Sequence, residues 1–234
     1  LEKRGKIKKQ RGLWLWVNSS FGRKIREFLD IVFHKPISHL FFKLQSLGLS
    51  NLKNIKGPVV FISNHVSYLD QPAIMYSMPR NLRYKTASAT REEFFFNESE
   101  TPALSLRNIL FPYSMVAFNT FLLPQKSGFR KSLVFMGKLI DQNTNILIFP
   151  EGTRSKDGKL QDFMSGLGLL VKELQVPVVP IRILGMEKIF PRGAIFPKRG
   201  KCTVIFGKPM EFTTETPSEI IEKSRNAVLN LTSK

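Results

Sequence analysis

The sequence predicts an α/β fold in which a largely parallel mixed sheet is flanked by helices and preceded by an N-terminal amphipathic helical hairpin. Short apolar runs predict buried strands at residues 58–63, 145–149, 176–184 and 201–206. Helical patterns separate several of these runs, at residues 68–77, 127–142 and 163–174. A last helix opens with a capping box, Thr216-Pro217-Ser218-Glu219. Strands that alternate with helices of this length favour a parallel α/β sheet.

The first 49 residues differ in composition from the rest of the chain. Residues 1–11 carry six basic residues and one acidic residue, and residues 12–49 interleave aromatic with basic side chains. Pro36 divides this segment into two predicted helices, residues 20–33 and 36–47. Aromatic and cationic side chains on amphipathic helices are typical of a membrane-interface anchor; a helical hairpin packed on its own core is the alternative. We therefore assign residues 1–49 to a basic tail and membrane-association segment, and residues 50–234 to the α/β domain.

The charge balance indicates an anionic partner. The formal net charge is +18, from 36 basic and 18 acidic residues, which suits nucleic acid, an anionic membrane or a phosphorylated substrate. The single cysteine, Cys202, excludes an internal disulfide and a Cys-based zinc site, and its apolar neighbours predict a core position. The longest uncharged stretch, residues 108–125, contains two prolines and two asparagines, so it makes a poor spanning helix.

A polar loop follows the first predicted strand and contains Asn64, His65 and Asp70. With Asp70 five residues after His65, a turn can bring the carboxylate to one imidazole nitrogen. That contact fixes the tautomer and leaves the other nitrogen as a general base. The same spacing also occurs in ordinary surface turns. His34 and His39 lie in the N-terminal region without evident partners, and we expect them to be structural or exposed.

A second polar loop, Phe149-Pro150-Glu151-Gly152-Thr153-Arg154-Ser155, follows the second predicted strand. Its guanidinium suits a phosphate. Its glycine lets backbone N–H groups approach an anion. The carboxylate of Glu151 is expected to orient Arg154 or to hold the hydroxyls of a bound molecule.

Together the two loops, NHxxxxD and FPEGTRS, resemble the glycerol-phosphate and lysophosphatidic acid acyltransferase family over residues 57–210. The resemblance implies that His65 and Asp70 form the catalytic pair. It also implies an acceptor-phosphate site built from Glu151, Gly152, Thr153 and Arg154. A further family motif matches residues 176–181, where Pro180 is expected to shape the site together with Asn64.

One family motif differs in this chain. Where the family usually has an arginine before the middle helix, this sequence has Gln125, and Lys126, Arg130 and Lys131 are expected to supply the acceptor-binding cation. The wording of this stretch is similar to acyltransferase domains that some bacterial proteins fuse behind an adenylate-forming acyl ligase. An upstream acyl-ligase domain is therefore one expected partner, and a start at Leu1 fits an excised domain.

The resemblance implies a membrane-associated O-acyltransferase. It would move a fatty acyl group from acyl-CoA or acyl carrier protein to the free hydroxyl of a lysophospholipid, with 1-acylglycerol-3-phosphate giving phosphatidic acid. His65 would be the general base, and no acyl-enzyme is needed. We accordingly expect no cofactor, no metal and no nucleic-acid partner. We also expect a peripheral or monotopic location on the cytoplasmic face of a membrane.

Three alternatives stay open at this point. The first is a lysophospholipid acyltransferase or transacylase that acts on another headgroup. The second is a non-catalytic basic protein that binds a membrane or nucleic acid, in which the His–Asp pair is only structural. The third is a thioester hydrolase in which water replaces the acceptor.

Overall fold

The sheet has seven strands in the computed structural model, which describes residues 17, 19–91, 112–123 and 129–233. The strands are β1 Phe42–Leu47, β2 Val60–Ser63, β3 Thr86–Arg91, β4 Thr120–Leu123, β5 Asn145–Ile148, β6 Val178–Leu184 and β7 Gly200–Phe206. Their order across the sheet is β1-β7-β6-β2-β5-β3-β4. Neighbouring strands are parallel except β6 and β7, which are antiparallel. The predicted largely parallel mixed sheet is confirmed.

The helices lie mainly between the strands. They are α1 Ser20–Leu29, α2 Lys35–Phe41, α3 Asp70–Ser77, α4 Arg80–Arg83, α5 Phe129–Asp141, α6 Gly166–Leu174, α7 Met186–Ile189 and α8 Pro217–Leu229. Residues 112–118 are also helical, and a short 3₁₀ helix spans Leu49–Leu52. The predicted capping box begins α8: the Thr216 hydroxyl accepts from the backbone N–H of Glu219, whose carboxylate accepts from the N–H of Thr216.

The core has two halves because successive side chains of a buried strand point to opposite faces of the sheet. In β2, Ile62 packs with residues of α5, α6 and α8 on one face. Its neighbour Phe61 packs with residues of α3 and α7 on the other. Both side chains are fully buried. The architecture is therefore helix, sheet, helix, and Cys202 lies fully buried in the second half as expected.

The N-terminal segment differs from the prediction in its second half. Residues 36–47 were predicted as one helix, but helix α2 ends at Phe41 and residues 42–47 form β1, which pairs with β7. This part of the prediction is wrong because the backbone of residues 42–47 pairs with the distant strand β7, which no local pattern shows. A π-helical turn, Asp30–His34, joins α1 directly to α2. The sheet therefore begins inside the segment assigned to membrane association.

The outer surface of this helical run carries many apolar side chains beside exposed Arg23, Lys24 and Lys35. Its exposed large apolar side chains are Phe21, Phe28, Ile31, Val32, Phe33 and Leu40. In the part of the chain that the structure describes, no helix has the length and apolar character needed to cross a bilayer. The basic tail of residues 1–11 lies outside the described residues.

Candidate active site

Two loops meet at one edge of the sheet because β2 and β5 are parallel neighbours. The dyad loop, residues 64–70, follows β2, and the Arg154 loop, residues 149–155, follows β5. The backbone N–H of Ser155 donates to the carbonyl oxygen of His65 at 2.8 Å, which joins the two loops directly. The carboxyl ends of neighbouring strands at one edge are where open α/β sheets bind ligands.

The side chains of His65 and Asp70 form a hydrogen-bonded pair. Nδ1 of His65 lies 2.8 Å from Oδ2 of Asp70. The same oxygen accepts from the backbone N–H of Val66 at 2.6 Å and of Ser67 at 2.8 Å. Asp70 is also the first residue of α3, where the helix dipole favours a negative charge. The turn therefore holds a carboxylate that accepts the Nδ1 proton, which leaves Nε2 as the basic nitrogen.

The imidazole of His65 is held on one side and open on the other. Its ring stacks on Phe149, with centroids 4.3 Å apart and planes 26° apart. The His65 side chain is 22% exposed, whereas that of Asp70 is fully buried. Within the described ranges, Nε2 of His65 has no hydrogen-bond partner. An oriented imidazole with one accessible nitrogen has the geometry of a general base.

The Glu151 carboxylate supports the dyad loop. Oε1 accepts from the backbone N–H of His65 at 2.8 Å. Oε2 accepts from the backbone N–H of Gln161 at 3.1 Å and from its side-chain amide at 2.9 Å. Burial raises the pKa of Glu151, and these hydrogen bonds offset part of the rise. Both oxygens already have donors from the protein, so the geometry favours positioning of His65 over the predicted contact with an acceptor.

Two further predicted site residues are Asn64, directly after β2, and Pro180, within β6. The Asn64 side chain bonds both backbone groups of Ile183: it donates to the carbonyl at 3.0 Å and accepts from the N–H at 2.8 Å. This pair ties the start of the dyad loop to β6. Pro180 lies in β6 opposite Ile62 of β2. Asn64 therefore has a direct contact that shapes the loop, while Pro180 belongs to the neighbouring strand.

The Arg154 guanidinium packs on the dyad loop. Its central carbon lies 3.4 Å from the centroid of the Tyr68 ring, a cation–π contact that fixes the guanidinium plane. Gly152 has φ of 70°, in the left-handed region that favours glycine. Thr153 is exposed, and its carbonyl accepts from the Gln161 side chain at 3.2 Å. Gly152, Thr153 and Arg154, three of the predicted phosphate-site residues, therefore lie in the loop that contacts the dyad loop.

The predicted substitute cations are described only in part. Arg130 and Lys131 are exposed in the first turn of α5. Because β4 runs parallel to β3, and β3 to β5, the chain leaves β4 at the same edge as the two loops. Lys126 and Gln125 lie outside the described residues. The role of these cations stays a prediction.

Sequence reasoning missed Gln161, which lies ten residues after Glu151 and holds it. The backbone carbonyl of Gln161 accepts in turn from Nε of Arg225 in α8 at 3.2 Å. A chain of contacts therefore leads from the C-terminal helix through Gln161 and Glu151 to the backbone of His65. The residue follows the Arg154 loop as a plain polar side chain, and no local pattern marks it.

A second His–Asp pair lies in the N-terminal helical run. Nδ1 of His34 lies 3.0 Å from Oδ1 of Asp30, and Nε2 of His34 bonds the hydroxyl of Tyr113. Asp30 also accepts from the hydroxyls of Tyr76 at 2.7 Å and Tyr84 at 2.9 Å. His34 is therefore structural as expected, but the expectation that it lacks partners is wrong. The side chain of His39 lies outside the described residues.

Comparison with known proteins relates the chain to acyltransferases. The family model described as Acyltransferase matches residues 43–184. The chain is 30% identical over 195 residues to 1-acyl-sn-glycerol-3-phosphate acyltransferase BAT2, chloroplastic, of Brassica napus, covering 81% of this chain and 52% of that protein. It is 25% identical over 166 residues to 1-acyl-sn-glycerol-3-phosphate acyltransferase alpha of Mus musculus, covering 70% and 53%. The chain spans about half the length of these curated relatives.

The fold is also similar to a solved structure. The crystal structure of the 1-acyl-sn-glycerophosphate (LPA) acyltransferase PlsC from Thermotoga maritima aligns with a TM-score of 0.63 at 20% sequence identity. The alignment covers 91% of this chain and 82% of that chain. At this identity the likeness concerns the fold. From the match of the family model over residues 43–184, the chain belongs to the Acyltransferase family.

Proposed function

We propose that the chain transfers a fatty acyl group from a thioester, acyl-CoA or acyl carrier protein, to the free hydroxyl of 1-acylglycerol-3-phosphate, giving phosphatidic acid. The observation that carries this proposal is the His65–Asp70 pair, with Nε2 accessible beside the Arg154 loop. The two relatives described above are named for the same acceptor, which supports this proposal.

The chemistry needs only the protein's own residues and the two substrates. Nε2 of His65 takes the proton of the acceptor hydroxyl while that oxygen attacks the thioester carbonyl. Asp70 stabilises the imidazolium through Nδ1. Collapse of the tetrahedral intermediate forms the ester and breaks the C–S bond. The imidazolium then returns the proton to the leaving sulfur, so a free thiol departs and His65 is neutral again.

The Arg154 loop would bind the acceptor phosphate. Arg154 lies on Tyr68 of the dyad loop, so a phosphate held by its guanidinium would lie close to His65. Binding the phosphate would align the hydroxyl with Nε2, and such alignment supplies much of the rate of a bimolecular reaction. Arg130 and Lys131 of α5, with Lys126, are the cations expected to assist.

Peripheral membrane association fits the lipid substrates. The apolar exposed surface of α1 and the π-helical turn carries Phe21, Phe28 and Phe33, and the net charge of +18 attracts anionic lipid. Removing the first 49 residues would also remove strand β1, which begins at Phe42. Membrane association is therefore tested with substitutions within residues 20–34. An upstream acyl-ligase domain stays a prediction.

The direct test is an assay of thioester donors against lysophospholipid acceptors in detergent, with products identified by mass spectrometry. The proposal expects phosphatidic acid and free thiol in equal amounts from 1-acylglycerol-3-phosphate. Thiol release without lysolipid would instead indicate a thioester hydrolase. A better yield with another headgroup would indicate the related acyltransferase or transacylase activity.

Arg154 allows the acceptor to be tested separately from the donor. We expect Arg154→Ala to raise the KM for lysophosphatidate by roughly ten- to a hundredfold, since a charge-assisted bond to phosphate contributes about 1.5–3 kcal/mol. The KM for the acyl donor should change little, and Arg154→Lys should recover part of the loss because lysine lacks the bidentate fork. Equal losses with lysophosphatidate and with neutral monoacylglycerol would contradict the phosphate clamp.

A further inference from the structure

The loop of residues 190–199 joins α7 to β7 and lies beside the candidate active site. The Phe190 ring lies 6.3 Å from that of Tyr68, and its carbonyl accepts from the Ser67 hydroxyl at 2.7 Å. Farther along the loop, a guanidinium nitrogen of Arg192 donates to the carbonyl oxygen of Arg154 at 3.4 Å. The loop therefore contacts both the dyad loop and the Arg154 loop.

The tip of this loop presents two adjacent apolar side chains to solvent. Ile195 is 83% exposed and Phe196 is 81% exposed. Among the other large apolar side chains in the described part of the chain, the most exposed is Phe21, at 62%. Single exposed apolar residues are ordinary on protein surfaces. Two neighbours that are almost free of protein contacts, at the end of an ordered loop, indicate a surface that something apolar covers.

Cations flank this tip in the sequence. Arg192, Lys198, Arg199 and Lys201 are all exposed, and residues 190–201 contain no acidic residue. This concentration of positive charge suits the anionic headgroups of a lipid leaflet. Apolar side chains flanked by cations also match the depth profile of a bilayer surface, where headgroups lie outside the acyl chains.

The loop is held at its base. The backbone N–H of Lys198 donates to the carbonyl of Ile189 at 2.7 Å, and that of Ala194 donates to the carbonyl of Pro191 at 3.1 Å, closing a turn. Ile189 is itself buried in the core. These bonds fix where the tip projects, so its position relative to the two active-site loops is built into the fold.

We propose that the loop of residues 190–199 is a second membrane-contact surface, which inserts Ile195 and Phe196 into an anionic lipid leaflet and brings the active-site loops against that leaflet. This inference rests on the proposed function, since it concerns how the same site reaches lipid substrates. It involves other residues than the apolar side chains of α1, although the loop leads into Gly200, which pairs with Phe42 at the start of β1.

Insertion is tested by labelling the tip. The chain has a single cysteine, Cys202, which is fully buried, so a thiol-reactive nitrobenzoxadiazole dye reacts at an introduced cysteine. In the full chain carrying Phe196→Cys, vesicles that contain an anionic phospholipid should shift the dye emission to the blue. The shift should weaken as salt is added. Label at Glu173→Cys, an exposed position on α6, is the matched control and should not respond.

Affinity and turnover provide the second readout. Ile195→Ser/Phe196→Ser should weaken binding to anionic vesicles by about tenfold or more, since burying either side chain in an apolar phase is favourable. The control Val134→Ser/Leu169→Ser removes two exposed apolar side chains from α5 and α6 and should bind like wild type. The loop variant should lose turnover with vesicle substrates while keeping turnover with detergent-dispersed substrates.

Three results would overturn the inference. No emission shift at residue 196, or unchanged affinity of the loop variant for vesicles, would show that the tip does not enter the membrane. This conclusion would hold even if another protein covers the tip. An equal loss of turnover in vesicles and detergent would assign the loop to the shape of the site. Absence of acyl transfer by wild type would end the proposed function, and the dye and affinity measurements would still be readable.

Discussion

The two His–Asp pairs of this molecule use the same contact and differ in what surrounds the second imidazole nitrogen. Nδ1 meets a carboxylate at 2.8 Å in His65–Asp70 and at 3.0 Å in His34–Asp30. The His65 side chain is 22% exposed and its Nε2 has no partner in the described residues. The His34 side chain is 7% exposed and its Nε2 bonds Tyr113.

Under the proposed function, this difference separates a reactive pair from a structural one. A general base needs one nitrogen anchored and the other within reach of a substrate proton. In the His34 pair both side chains are buried. Asp30 also accepts hydrogen bonds from Tyr76 and Tyr84, so the pair holds the N-terminal helical run on the α/β body. The residue types alone therefore do not distinguish the proposed base from the structural histidine, whereas access to the second imidazole nitrogen does.

The largest effect that separates the pairs is expected from the carboxylates. Asp70→Asn should lower kcat/KM by about 10²- to 10⁴-fold, because the amide no longer fixes the tautomer or stabilises the imidazolium. The matched substitution Asp30→Asn should change kcat/KM little in the folded protein. Steady-state kinetics and thermal unfolding of both variants check this expectation. A large rate loss from Asp30→Asn would show that the two pairs do not differ in their role in the reaction.

Asp30→Asn should act on stability instead, and in a pH-dependent way. Burial acts to raise the pKa of Asp30, but the hydrogen bonds from His34, Tyr76 and Tyr84 outweigh it and hold the pKa below its usual value. The charged carboxylate therefore stabilises the fold above about pH 4, and this contribution is lost as pH falls through the lowered folded-state pKa.

At neutral pH we expect Asp30→Asn to cost about 1–3 kcal/mol of unfolding free energy, the usual effect of disturbing a buried hydrogen-bonded group. The gap to wild type should narrow toward acid pH in urea titrations. Asp141→Asn, on the exposed end of α5, serves as control and should stay close to wild type throughout. A pH-independent gap would show that the Asp30 charge is not what stabilises this contact.

A smaller effect is expected from Gln161, which bonds Glu151 and thereby helps to position the backbone of His65. Gln161→Leu removes the side-chain donor to Glu151 and should lower kcat/KM by about fivefold, the kinetic equivalent of a hydrogen bond of about 1 kcal/mol. The lost bond should also raise the pKa of Glu151 further, so the acid limb of the pH–rate profile should move to higher pH. Gln142→Leu, at an exposed position, is the control. An unchanged pH–rate profile for Gln161→Leu would show that Glu151 does not set the acid limb.

Local patterns predicted the parts of the molecule that are local in sequence. The strand, turn and helix around His65 and Asp70 lie within a few residues, and the capping box of α8 spans four. β2 and β5 were predictable because every residue in them is buried, which gives uninterrupted apolar runs. Both loops could therefore be assigned to strand ends.

The missed elements depend on distant partners. β3 reads Thr-Ala-Ser-Ala-Thr-Arg, with no large apolar residue, and is a strand because β5 and β4 lie on either side of it. β1 was predicted as helix and becomes a strand by pairing with β7, more than 150 residues away in the chain. The role of Glu151 was missed for the same reason, since it bonds the backbone of a residue 86 positions earlier.

We expect His65, and not His34, to be the base of the reaction. The most direct measurement is kcat/KM for acyl transfer to lysophosphatidate by His65→Ala beside His34→Ala, each corrected for its folded fraction. We expect a loss of about 10²- to 10⁴-fold for His65→Ala with an unchanged unfolding midpoint, and near-normal turnover for folded His34→Ala. Activity of His65→Ala within a few-fold of wild type would show that His65 is not the base.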